Sequence, residues 1–239
     1  MSLVLRHALP RSIERGVANT LTADVYDAAG SQQTASAGTL TLYAGSKLIL
    51  DGVAVTSAGS PTSHTLAAGS TTGEGLSDSW LEVWSLTIGG TVYTFRRDAY
   101  LVRHVLYPSI TDTDLIGLHS DLAALRDSDQ SSYQTQREAA WTRVQRRLIK
   151  AGRRPELVLN SWALAEYHLL LTLQIIFADF ALSTGDARYS QMSAEYRDAA
   201  KAEFDELPLR YDADEGGTED DGDRAAAEPV TFLSQPWGY

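Results

Sequence analysis

The stretch that decides the fold is SWLEVWSLTIGGTVYTF, residues 79–95. Aromatic, β-branched and other apolar side chains recur in it on both sides of Gly89-Gly90. Two runs of strand-forming residues joined by two glycines predict a β-hairpin, because the two-residue hairpin turns need positive φ angles that glycine adopts at no steric cost. The sequence therefore predicts antiparallel β-structure around this point.

The alternating pattern extends toward the N-terminus. In TLTADVY, residues 20–26, the apolar side chains Leu21, Ala23 and Val25 share one face, and TLTLY, residues 39–43, alternates in the same way. Glycine-rich turns separate these runs. About seven short strands between residues 19 and 107 predict an antiparallel β-sandwich of immunoglobulin-like size. The first predicted domain covers residues 1–108.

After Pro108 the apolar period changes to that of helices. Leu115, Leu118, Leu122 and Leu125 recur at helical spacing, and Thr111 is placed to cap their helix. A second helix is predicted over residues 131–151. The apolar face of this second helix is formed by Trp141, Val144 and Leu148, and Gly152 ends the helix.

Two further helices complete the predicted helical part. The third covers residues 161–183 and ends at Gly185, and Pro208 stops the fourth. The stripe of the fourth helix comprises Tyr189, Met192, Tyr196, Ala199 and Phe204. Four helices with short connections predict a domain resembling a four-helix bundle over residues 109–211. The fold class is thus expected to be α+β.

The third predicted helix contains the longest apolar run of the chain, residues 163–182. Glu166, His168, Gln174 and Asp179 interrupt this run, and burying such groups in a bilayer costs several kcal/mol in total. The pattern favours a buried helix of a bundle. No membrane segment is therefore expected.

Charge is concentrated at one end of the chain. The protein has 239 residues, no cysteine and a formal net charge of −11. Residues 212–223 contain seven acidic side chains and no basic one. This composition predicts an extended acidic C-terminal arm over residues 212–239, and the net charge argues against strong general affinity for nucleic acid. The lack of cysteine excludes disulfides and thiolate metal sites.

Two groups of residues are candidate interfaces. A basic segment near the end of the second helix is either a solvated helix face or a docking face for an acidic partner or for DNA phosphates. The aromatic C-terminus either packs on its own domain or anchors in pockets of a partner. The candidates are Arg143, Arg146, Arg147, Lys150, Arg153, Arg154, Phe232, Leu233, Trp237 and Tyr239. Trp141, beside the basic segment, is expected in the core.

No metal site, cofactor or catalytic residue is predicted. The acids from Asp212 to Asp223 fit an EF-hand loop only in part, since Gly216 stands at position 5 and Asp223 at position 12, which favours an acidic linker. No histidine pair has zinc-ligand spacing, and His168 is expected to be a hydrogen-bonded core residue. An enzyme acting on polysaccharide would need two carboxylates facing a cleft. The acids available in the β half are Asp24, Asp27, Glu74 and Asp78.

Residues 111–217 resemble the head-to-tail adaptor (connector) proteins of tailed bacteriophages. The resemblance is carried by WTRVQRRLI (141–149), ADFAL (178–182), YSQMSAEY (189–196) and LPLRYDADEGG (207–217). Such a family implies a structural protein of the virion neck, without enzymatic activity or cofactor. The N-terminal β domain is absent from simple adaptors.

The resemblance also implies partners. Adaptors form cyclic rings, typically of twelve subunits, below the portal protein, and a stopper or tail protein attaches on the other side. By this resemblance, the C-terminal arm is expected to dock on the portal, and genomic DNA is expected to pass through the channel without specific binding. The alternative from the same particle is a tail-completion or baseplate protein whose β domain contacts the host.

Overall fold

The computed structural model describes residues 3–6, 9–57, 61–126, 130–214 and 216. These residues form two compact units. The first takes the described residues up to Tyr107 together with Gln145–Ile149 and Arg154–Glu156, and the second takes the other described residues. The strands precede the helices along the chain. The protein is therefore α+β, as the sequence predicted.

The described part of the first unit contains ten β-strands and a 3-10 turn at Ala68–Ser70. The strands are β1 Leu3–Leu5, β2 Arg11–Glu14, β3 Asn19–Ala23, β4 Val25–Asp27, β5 Gln32–Gln33, β6 Ala37–Ala44, β7 Lys47–Ala54, β8 Thr62–Leu66, β9 Ser77–Ile88 and β10 Thr91–Val102.

The predicted hairpin is confirmed and is the longest pairing of this unit. β9 and β10 pair in antiparallel fashion from Ile88↔Thr91 to Ser77↔Leu101. Gly89 and Gly90 join them with φ angles of +57° and +79°, the left-handed conformation that explains why both positions are glycine. Every second residue of β9 from Trp80 onward is buried.

The sheets are mixed, whereas purely antiparallel pairing was expected. The main sheet has the order β2-β10-β9-β6-β7, and smaller sheets have the orders β1-β4-β5 and β3-β8. β2 runs parallel to β10. The predicted single strand over residues 20–26 is divided into β3 and β4, because the chain changes sheets at Asp24. The alternation remains unbroken, with Leu21, Ala23 and Val25 all buried.

Residues from all three sheets share one apolar core. Trp84, Leu86, Leu40 and Leu101 are fully buried in it. Leu21 and Leu66 enter from the β3-β8 pair, and Leu5 and Val25 from the β1-β4-β5 sheet. The first unit therefore depends on packing between sheets and on the pairing within each sheet.

The second unit is helical in its described part, although part of α3 belongs to the first unit. Its elements are five α-helices and the 3-10 turn Ser161–Leu164, and a further 3-10 turn, Pro155–Leu157, has its first two residues in the first unit. The helices are α1 Asp112–Leu118, α2 Leu122–Leu125, α3 Gln134–Lys150, α4 Ala165–Thr184 and α5 Ala187–Asp205.

The first predicted helix is interrupted. Thr111 caps α1 as predicted, since its backbone N–H donates to the Asp114 carboxylate at 2.6 Å, and this bond lowers the pKa of Asp114. The helix then ends after Leu118 and α2 begins at Leu122. Leu115 and Leu122 are buried, whereas Leu118 is 54% and Leu125 36% exposed, so the predicted continuous leucine stripe is wrong at those two positions.

The later helices largely agree with those predicted from the sequence. Gly152 and Gly185 adopt positive φ angles just after α3 and α4, as predicted. In α5, Tyr189 and Phe204 are buried as expected, but Ala200 takes the buried position that the stripe assigned to Ala199.

Aromatic stacking forms the centre of the helical core. The ring of Phe177 in α4 stacks on Tyr196 at 5.6 Å and on Tyr189 at 6.1 Å between centroids, and the imidazole of His119 meets it edge-on. Segment Ser161–Thr184 is long and apolar enough to cross a membrane by length and composition alone. Nine of the α4 side chains are buried in the structure.

A substitution at Gly38 tests the close contact between β6 and β9. A Cβ atom there would lie 2.6 Å from Leu86 Cδ2 and 2.9 Å from the Ser85 carbonyl oxygen. We expect Gly38→Ala to lower the free energy of unfolding by about 1–3 kcal/mol through overpacking, measured by urea denaturation. Gly69→Ala is the control, because a Cβ atom at Gly69 meets nothing within 4 Å. Equal stability of the two variants would contradict the close contact.

Candidate interaction site

The exposed face of α3 contains four of the six predicted basic residues. Ala140, Trp141, Val144 and Leu148 are buried on the opposite face. The exposed cations are Arg143, Arg146, Arg147 and Lys150. Helical spacing brings them together, because residues three and four apart are neighbours on a helix surface. We refer to these four residues as the basic face.

The other two basic residues, Arg153 and Arg154, follow the end of α3 and are not part of the basic face. Arg153 is half-buried with its guanidinium carbon 5.7 Å from the Phe204 ring centre, and burial lowers its pKa. Arg154 Nε lies 3.7 Å from Asp78 Oδ2 within the first unit. Arg153 thus contributes to packing, and Arg154 to an exposed ion pair.

Arg143 is also tethered, since its guanidinium donates to Gln174 Oε1 in α4 at 3.3 Å. The remaining candidates, Phe232, Leu233, Trp237 and Tyr239, lie outside the described residues. The same holds for most of the acidic arm, and the described part of the chain contains no cluster of three potential metal ligands.

The segment leading into the acidic arm is held by an asparagine that the sequence reading missed. The Asn160 side chain donates to the Pro208 carbonyl at 3.0 Å and accepts from the Arg210 backbone N–H at 2.6 Å. Beside it, the Asp212 N–H donates to the Leu157 carbonyl at 2.9 Å. Hydrogen bonds therefore join residues 157–160 to residues 207–212. Asp212, which is buried, takes part through its backbone N–H.

A buried ion pair in the first unit was also missed. Glu82 is fully buried, and its two carboxylate oxygens accept from Arg11 Nε at 2.6 Å and from the Trp84 indole at 2.9 Å. Arg97 stands opposite Glu82 on β10, and burial, followed by the charge of Arg11, lowers its pKa to about 10. These groups lie inside the sheet structure and serve the fold.

The four carboxylates that the sequence offered for a hydrolase each bind different partners. Asp24 and Asp27 bind side-chain amides and turn backbone, and Glu74 and Asp78 form ion pairs. Their partners are Gln32 for Asp24, Ala29, Ser31 and Gln33 for Asp27, Lys47 for Glu74 and Arg154 for Asp78.

His168 is a core residue, as predicted. It is fully buried in α4, and its Nε2–H donates to the Arg137 carbonyl at 2.9 Å. The Trp141 ring lies against it at 5.1 Å between centroids, which confirms Trp141 as a core side chain. Burial is the main cause that lowers the pKa of His168 from its ordinary value of 6.5.

Comparison of the chain with protein-family models, with curated proteins and with solved structures finds no match. The resemblance of residues 111–217 to phage adaptors therefore stays a prediction.

The buried imidazole predicts a pH dependence of stability. Because the folded state disfavours protonated His168, the unfolded state binds more protons below about pH 6.5, and the free energy of unfolding falls as pH decreases from there. Above that pH the full stability is present. In His168→Gln, whose amide can still donate to the Arg137 carbonyl, we expect a smaller loss between about pH 7.5 and pH 5.5.

Urea denaturation at the two pH values measures this difference. His64→Gln provides the control, since His64 is a half-buried residue of strand β8 in the other unit. An unchanged pH dependence in His168→Gln would show that another group causes it.

Proposed function

We propose that this chain is a structural adaptor of a tailed phage that forms a ring below the portal and gives a platform for a stopper or tail protein. The observation that carries the proposal is the basic face of α3, which lies within the segments that resemble adaptors. A clustered basic face on a chain of net charge −11 supports docking on an acidic protein surface. The role is binding and needs no cofactor.

The finer architecture belongs to this proposal. In it, the first unit is a β-sandwich of immunoglobulin-like size, supported by the core that residues of three sheets share. The helical unit acts as a bundle, supported by α4 and α5, which pack along each other across a two-residue connection. Residues 212–239 act as the arm that reaches the portal.

The charge distribution supports a ring with DNA passing through it. A channel for sliding DNA should be acidic or neutral, because dense positive charge would hold the phosphates. A ring also needs heterologous contacts, in which one surface of a subunit complements a different surface of the next. The basic face and the acidic residues that follow buried Asp212, up to Asp223, are opposite in sign and can meet in this way.

The alternative is a tail-completion or baseplate protein whose β-unit makes the outer contact. The observation in its favour is the tip of the β9-β10 hairpin, where Val92 is 63% exposed. Loops at the end of a rigid scaffold often carry the residues that make contacts with partners.

Location on the particle tests the proposal directly. A gold-labelled antibody against this chain should bind purified virions at a single vertex, between shell and tail. Label at the tail tip would support the baseplate alternative, and particles without label would refute both virion roles.

Charge reversal tests the basic face. We expect Arg146→Glu with Arg147→Glu to weaken assembly at low ionic strength by about tenfold or more, and the effect should shrink in high salt because exposed charges are screened. Arg197→Glu with Lys201→Glu on exposed positions of α5 is the matched control. Sedimentation velocity measures assembly. Unaltered assembly of the α3 variant would remove the basic face from the interface.

A further inference from the structure

A small cleft of about 200 Å³ opens between helices of the second unit. This is less than the pockets of about 300–1,000 Å³ that hold drug-sized ligands, so it suits a single side chain or a small ion. Its walls are apolar and aromatic at Leu125, Tyr133, Ile176, Phe180 and Tyr189. Its polar positions are Gln130, Gln136, Asp179, Ser183 and Thr184.

The polar groups of this cleft are rich in acceptors. Gln136 Oε1 is buried and has no hydrogen-bond partner, while Gln136 Nε2 donates to Asp179 Oδ2 at 3.3 Å. The hydroxyls of Ser183 and Thr184 donate to the Phe180 carbonyl at 3.2 and 2.7 Å. Their protons are therefore used, and their oxygens remain acceptors.

Neighbouring cations do not satisfy these acceptors. Arg126 lies 3.6 Å from the Asp112 carboxylate and over the Tyr133 ring, and Arg188 donates to the Tyr189 hydroxyl at 3.0 Å. Among the described residues, no basic side chain comes within 4 Å of the Asp179 carboxylate. A buried acceptor without a donor is costly, so a ligand that only donates would gain from binding here.

We propose that this cleft binds an alkylguanidinium or alkylammonium ion, the chemistry of an Arg or Lys side chain. The cation would donate to Asp179 and to Gln136 Oε1, and its hydrocarbon stem would pack on the aromatic walls. Guanidinium and ammonium groups donate and never accept, which matches the acceptor-rich lining. The inference stands independently of the adaptor proposal.

Two sources could supply such a cation, a basic side chain of a second copy of this chain or a free small cation. The basic face of α3 makes the first source available, because it exposes arginine and lysine side chains. Both sources would present the same cationic group to the cleft, so an experiment is needed to distinguish a second copy from a free small cation.

Binding is tested on the full chain with n-butylguanidinium and n-butylammonium as probes, followed by NMR shifts of the Gln136 side-chain amide. We expect both cations to bind and n-butanol, the neutral analogue, to bind at least about tenfold more weakly, since hydrogen bonds to charged groups are the stronger class. Asp179→Asn should weaken cation binding by about tenfold, and Gln136→Glu should strengthen it.

Asp198→Asn, on an exposed position of α5, is the control and should bind the probes like the wild type. Thermal unfolding of each variant verifies that it is folded. Equal binding of n-butanol, or unchanged cation binding in folded Asp179→Asn, would overturn the proposal.

Sedimentation velocity at low ionic strength then identifies the source. If n-butylguanidinium shifts the wild-type protein toward smaller species, the cation comes from a second copy. If the probe binds and sedimentation stays the same, the natural occupant is a free small cation.

Discussion

The first unit depends on the buried carboxylate of Glu82. A buried charge is tolerated only when its oxygens are bonded, and here one oxygen accepts from Arg11 and the other from the Trp84 indole. Arg11 in turn donates to the Thr22 carbonyl, so the pair joins the main sheet to the β3-β8 sheet. Losing one partner of such a pair costs about 3–5 kcal/mol, which makes the ion pair a constraint on how β2, β3 and β9 can be arranged.

Local patterns predicted most of the β-structure, and long-range pairing accounts for what they missed. The two glycines and the alternation of β9 fixed the hairpin, because both depend on neighbouring residues only. The same alternation places Glu82 on the buried face of β9 with Trp80 and Trp84, a signal that a polar residue is buried. Its partner Arg11 lies 71 residues away in sequence on a strand that pairs in parallel, which no local period reveals.

In the helical unit, periodicity predicted the helices. It did not predict where a helix breaks or which of its residues are buried, because these depend on tertiary contacts. Gly152 and Gly185 located the C-terminal ends of α3 and α4 closely, while the break after Leu118 and the burial of Ala200 instead of Ala199 depend on packing between helices. The basic segment illustrates the same limit. Charge alone grouped its six members, but the turn at Gly152 directs Arg153 onto Phe204 and separates it from the α3 face.

The role of Asn160 could not be predicted from a local pattern, because its partners Pro208 and Arg210 are about fifty residues away.

Among the described residues, several buried polar groups bond within their own unit. Glu82, Asn160 and the Nε2 of His168 have intramolecular partners that explain their burial. Gln136 Oε1, in contrast, is a buried acceptor beside an exposed carboxylate and lacks a donor. The basic face of α3 exposes the complementary donors on the same chain. A basic side chain of a second copy seated in this cleft would make a heterologous contact, in which each copy offers one surface and receives the other.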